Sequence, residues 1–154
     1  MSVSQWESAE VAIAAALSGI AGASFYTAAQ LKDVWPPTAP GTAILIECYD
    51  ESQYQPTVFS AGLSLEHPAI QFRVVIATRS GSTVPGGSRL GNSGTYAFAD
   101  AVKVALFSTP ISLPASGAFV SDCKRQTGGM IQEGCYAIEQ QWELKTTFPV
   151  CYIV

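Results

Sequence analysis

A single histidine, His67, is all the imidazole this chain can offer, and it stands beside Pro68 at the entrance to a strand-like run. A hydrolase triad needs such a base held against a nucleophile. No G-x-S-x-G elbow accompanies it, so His67 reads as a loop or surface residue. Gly81, Gly86, Gly87, Gly91 and Gly94 resemble a phosphate cradle in spacing, yet neither Gly-Lys-Ser/Thr nor G-x-G-x-x-G leads into the helix that follows. Gly91-Asn92-Ser93-Gly94 reads better as a turn and helix cap. The four cysteines, Cys48, Cys123, Cys135 and Cys151, form no C-x-x-C pair, which argues against zinc. Cys123 and Cys135 sit symmetrically about Gly129. A cross-strand disulfide is open to them, although two small apolar residues in a reducing cell fit the pattern better. Glu139 and Glu143 share the polar side of one strand but lie far apart along it, and Asp50-Glu51 reads as a solvated turn. No catalytic, cofactor-binding or metal-ligating residue is expected, and the chain reads as a non-enzyme.

The elements that would position these residues begin with Ser4-x-x-Glu7, the form of a capping box. Trp6, Ala9, Ile13, Leu17 and Ile20 then recur at helical spacing and predict a helix over 5–18. Residues 24–31 form a possible first strand. Three prolines exclude regular structure over 34–41. A strand over 42–49 contains the run Ile44-Leu45-Ile46 and is covered on both faces. A polar turn over 50–56 and a short strand over 58–65 follow. In the central strand, 69–79, Ile70, Phe72, Val74 and Ile76 face one way and Gln71, Arg73, Val75 and Ala77 the other. Residues 80–94 hold five glycines, four serines and a proline and predict a long loop. A second helix spans 95–108, with Phe98, Ala101, Val102, Ala105 and Leu106 buried, and Pro110 and Pro114 close it.

The last third predicts a long hairpin folded over Gly128-Gly129. Its returning strand alternates Ile138, Gln140, Trp142, Leu144, Thr146 and Phe148 against Glu139, Gln141, Glu143, Lys145 and Thr147. Pro149 starts an apolar tail, residues 150–154, which packs on its own domain or lies on a neighbouring subunit. The expected fold class is α+β: one domain over 1–154, two helices packed on a mostly antiparallel sheet with a long C-terminal β-hairpin.

Composition bears on function by what it disfavours. Charged residues make up 13% of the 154, against about 25% in a typical chain. Surface short of charge is surface expected to be buried against other copies. The net charge is −4 and no cluster of Lys and Arg exists. Wrapping nucleic acid, which needs several phosphate-neutralising cations, is not expected, whereas a mildly acidic wall lets it pass without sticking. The N-terminus lacks the basic start and apolar core of a signal peptide, and no run reaches the ~18–20 apolar residues of a membrane span. A cytosolic origin is expected.

The opening helix, the Pro-rich turn before Ala43-Ile44-Leu45-Ile46-Glu47 and the strand Phe72-Arg73-Val74-Val75-Ile76 form a recognisable order. The Gly/Ser loop, the helix from Tyr96 to Phe107 and the closing Tyr136-Ala137-Ile138-Glu139-Gln140-Gln141-Trp142-Glu143-Leu144 complete it. This order resembles the tail terminator proteins of tailed bacteriophages, the Mu-type group among them, and related neck-ring proteins. The resemblance is one of elements across nearly the whole chain, without a diagnostic signature. It implies a virion structural protein assembled in the host bacterial cytoplasm. Copies would form a ring, commonly a hexamer, at the head-proximal end of the tail. The ring would stop tube polymerisation and contact the tail tube, the head connector and possibly the sheath, while DNA passes through its lumen unbound. No membrane contact is expected. The expected interface residues are Arg79, Arg89, Gly128, Gly129, Tyr152, Ile153 and Val154. The alternatives are another neck or tail-completion protein, or a small-ligand or peptide-binding module with residues 80–94 as its lid.

Overall fold

The computed structural model describes residues 4–27, 36–37, 39–53, 58–60, 63–66, 68–80, 89–91, 94–113, 116–132, 134–146 and 150–153. Its elements are α1 (Gln5–Leu17), β1 (Ala23–Thr27), β2 (Gly41–Gln53), β3 (Val58–Ser60), β4 (Leu63–Glu66), β5 (Pro68–Arg79), α2 (Thr95–Ser108), β6 (Ile111–Leu113), β7 (Ser116–Gln132), β8 (Cys135–Thr146) and β9 (Val150–Ile153). Six strands form one sheet in the order β1-β2-β5-β8-β7-β6, and β3-β4-β9 form a second. All pairings are antiparallel except β1 with β2.

The expected fold class is therefore corrected. The chain is mostly sheet, and its main sheet curls into a six-stranded half-barrel instead of serving as a flat layer for two helices. The physical reason lies in strand length. Strands twist right-handedly, and four of these run for 12 to 17 residues. Register shifts in β2 and at three places in β7 add to the bend.

One buried cluster joins sheet and helices. Ile44, Ile46, Ile70, Phe72, Val74, Ile76, Ile138, Trp142 and Leu144 come from the strands, and Ala9, Ile13, Leu17, Phe98, Val102 and Leu106 from the helices. Phe72 and Trp142 stand opposite each other in register and stack at 6.5 Å, 11° from parallel, with Phe107 edge-on to the indole at 5.3 Å. Each fully buried side chain of this size contributes roughly 1.5–3 kcal/mol of transfer free energy. The period-2 pattern of β8 appears as Ile138, Gln140, Trp142, Leu144 and Thr146 buried on one face. α1 starts where its capping box predicts: Ser4 Oγ accepts the Glu7 amide at 3.1 Å, and Glu7 Oε2 accepts the Ser4 amide at 3.4 Å.

Several boundaries differ from expectation. Gly128 and Gly129 are not a turn. They lie inside β7, opposite Ile138 and Ala137, and the chain reverses at Gly134, whose φ is +74°. Cys123 therefore faces Trp142 and Cys135 faces Gln132, and both are free thiols, as is Cys48. Residues 50–53, expected as a turn, continue β2 past an irregularity at Tyr49. The run 58–65 divides into β3 and β4, and β6 was not anticipated. The expected first strand is described only as Ala23–Thr27. His67, Trp35, Tyr54, Val154 and loop residues 81–88 lie outside the described residues.

Candidate assembly surface

The structure gathers part of the expected interface at one end of the main sheet. Arg79 is the last residue of β5, opposite Cys135. Its Nε donates to the Pro37 carbonyl and its Nη2 to Gln132 Oε1 at the end of β7. Arg89 sits in the turn before α2, where its carbonyl accepts the Tyr96 amide at 3.2 Å and the Gly94 amide donates to Gly91 at 3.3 Å. That turn holds the Arg89 guanidinium 5.4 Å from the centre of the Tyr136 ring, a cation–π distance, and Tyr96 meets the same ring edge-on at 5.9 Å. Gly128 passes beneath it: a Cβ there would press on the Tyr136 hydroxyl and come within 3.1 Å of its ring carbon. Partial burial and the neighbouring Tyr96 hydroxyl push the Tyr136 phenol up, with Arg89 opposing.

Tyr152 and Ile153 are placed elsewhere. They belong to β9 and pair with Ser64 and Leu63 of β4. β4 leads into β5 at Pro68 and β8 ends at Thr146, so this small sheet adjoins the end of the main sheet away from Arg79. The apolar tail thus lies on its own chain's sheet.

Sequence reasoning missed a long stretch of strand edge. β6 covers β7 only over Ser116–Ala118. Beyond that, residues 119–132 pair with β8 on one side and face no strand on the other among the described residues. Phe119, Met130 and Ile131 are exposed along this stretch. At the opposite side of the sheet, β1 covers β2 as far as Ile46 among the described residues. The Cys48 amide is taken by Glu10 Oε2 at 3.3 Å and the Glu51 amide by Asp50 Oδ1 at 2.9 Å, and Tyr49, Asp50, Glu51 and Ser52 are exposed. A free edge of unpaired amides and carbonyls is a template for another strand. The signal was present in the seventeen-residue length of β7 set against a three-residue neighbour, but that length is hidden until the turn is placed at Gly134.

The sheet face away from the helices is polar and internally paired. Arg73 Nε lies 3.0 Å from Glu47 and its Nη1 3.0 Å from Glu139, while its guanidinium covers the Tyr49 ring at 4.8 Å. Glu143 is held by Lys124 at 2.5 Å, Gln71 at 2.6 Å and Lys145 at 3.5 Å. Burial works to raise the Glu143 carboxyl, but the hydrogen bonds from Lys124 and Gln71 and the two lysine charges outweigh it and hold it below the usual range. Glu139 and Glu143 thus serve separate cross-strand ion pairs. Cys48 is pushed up to about 12 by burial and by Glu10, Glu47 and Glu51, which makes it an inert thiol.

Among the described residues, no group of three or more His, Cys, Asp or Glu could hold a metal, and no helix is long and apolar enough to cross a membrane. A groove of about 540 Å³ between α1 and α2 is lined by small and apolar residues, among them Ala16, Ile20, Ala101, Val104 and Ala105, and by no charged side chain. No protein-family model matches the chain, and no curated protein matches it.

Proposed function

We propose that this chain is a structural protein that assembles with copies of itself into a ring at the head-proximal end of a bacteriophage tail. There it terminates tube polymerisation and joins the tail to the head connector. The observation that carries self-assembly is the free edge of β7: a fourteen-residue stretch, 119–132, that pairs with β8 across three register shifts on one side and meets no strand on the other among the described residues. Soluble proteins blunt long edges with charge, proline or short strands. Past its charged residues Asp122, Lys124 and Arg125, this edge carries Gly128, Gly129, Met130 and Ile131 together, with no proline in the stretch. The place in the tail, the hexamer and the contacts with tube and connector rest on the resemblance of element order. The charge of −4 suits a lumen that DNA crosses without binding.

Negative-stain electron microscopy and light scattering of the purified chain, with and without tail tubes, test this reading. Rings, or density capping the tube ends, are the expected result. A strict monomer that leaves tube ends open overturns it. Met130→Lys with Ile131→Lys places charge on the β7 edge and is expected to lower the assembled fraction in the same light-scattering assay.

A further inference from the structure

We infer that the β7 edge of one copy takes the free β2 edge of the next, with Arg125 of the first against Asp50 of the second. The inference rests on the ring reading above and names its joint. The two stretches that meet no outer strand among the described residues, 119–132 and 49–53, lie on opposite sides of one sheet, so they do not pair within a chain. Between chains their pairing is heterologous, the kind that closes into a ring when the rotation permits.

Charge and face select this partner. Residues 49–53 carry no base and two exposed acids, Glu51, which accepts the Trp6 indole N–H at 3.0 Å, and Asp50, whose Oδ1 accepts the Glu51 amide at 2.9 Å while the carboxylate enters no ion pair among the described residues. Residues 119–132 carry Lys124 and Arg125 against the single acid Asp122. Lys124 is occupied by Glu143, whereas the exposed Arg125 guanidinium enters no ion pair among the described residues. Asp50 stands opposite Gln71 and Arg125 opposite Gln141, and both therefore lie on the polar face that bears Arg73, Glu139 and Glu143. In a sheet continued from copy to copy, the two side chains share that face, where directly opposed Cβ atoms approach to about 4.5–5.5 Å. The backbone permits it as well. β1 occupies the same side of β2 as far as Ile46, so an incoming strand must bend after a short contact. β7 shifts register between Val120 and Cys123 and again between Cys123 and Arg125, and bulges of this kind bend a strand.

The test is a charge swap read by sedimentation velocity and electron microscopy in the presence of tail tubes. Circular dichroism confirms that each variant is folded. Arg125→Glu and Asp50→Arg are each expected to weaken self-association by about tenfold or more, and the double variant to regain it. Single variants that assemble like the wild type, or a double variant that stays as weak as the singles, overturn this joint and leave the ring reading standing. A wild-type chain that never assembles overturns both. Hydrogen exchange gives an answer without substitution: amides in 119–132 and in 49–53 gain protection together on assembly. Protection at only one of the two stretches overturns the pairing.

Discussion

Gln140 shows how one side chain can fix a helix to a sheet. It is fully buried, yet its amide is satisfied: Nε2 donates to the Ala99 carbonyl at 3.0 Å and to Gln126 Oε1 at 2.9 Å, and Oε1 accepts the Trp142 indole N–H at 3.1 Å. Gln140→Leu keeps the volume and strands the indole donor in the core. An unpaired buried group costs about 1–3 kcal/mol, so urea unfolding should show a loss of that size, and adding Trp142→Phe should recover part of it. Glu143 makes the matching case for charge. Its folded pKa is depressed, so its contribution to stability is present above the ordinary carboxyl value of 4.5 and is lost as pH falls through the folded value. Wild type should therefore exceed Glu143→Gln in unfolding free energy at neutral pH. The gap should close once the pH falls below the folded value of Glu143, where both carry an uncharged side chain. A gap unchanged by acid would mean the lysine pairing contributes nothing.

At the scale of elements, α1 is seated by polar contacts at the irregular part of β2. Glu10 reaches the Cys48 amide beside the register shift, Trp6 Nε1 donates to Glu51 Oε1 at 3.0 Å, and Cys48 Sγ lies 3.8 Å from the Trp6 carbonyl. Glu10→Leu should destabilise the chain by about 1–3 kcal/mol in thermal unfolding, because it leaves a buried amide without this acceptor, while Glu10→Gln keeps an acceptor and should cost less. Elements of this kind were legible in the chain where local rules decide them. The capping box set the start of α1, the turn residues and Pro110 bounded α2, and alternation gave the faces of β5 and β8. The hairpin reversal was not legible, because Gly128-Gly129 is a strong local turn signal with a different cause. Gly128 is small to clear Tyr136, and the register is set by burying Ile138 to Leu144 on one face. The pairing of β9 with β4 joins short segments some ninety positions apart, a contact no local pattern announces. Of the expected interface residues, Arg79, Arg89, Gly128 and Gly129 come together at one sheet end, and Tyr152 and Ile153 do not join them. The free edges of β2 and β7 depend on where neighbouring strands stop, which is a property of the whole sheet.

Among the described residues, the main sheet therefore has a well-covered middle and two half-covered sides. β5 is paired along its length by β2 and β8, and β8 by β5 and β7. Their core-facing side chains, Ile70, Phe72, Val74, Ile76, Trp142 and Leu144, are fully buried. Amides so placed open only with global unfolding. The outward amides of residues 119–132 meet no strand among the described residues, and the short β1 and β6 have few bonds to lose. Native-state hydrogen exchange on the unassembled chain should rank accordingly: β5 and β8 slowest and equal to the unfolding free energy, β1 and β6 faster, and β7 divided residue by residue between amides that face β8 and amides that face away. Such a ranking means that the middle strands are a stable core in the lone protomer, which offers finished edges to its neighbours. If β5 and β8 exchanged as fast as the outer amides of β7, the sheet would have no stable core of its own, and folding and assembly would be a single event.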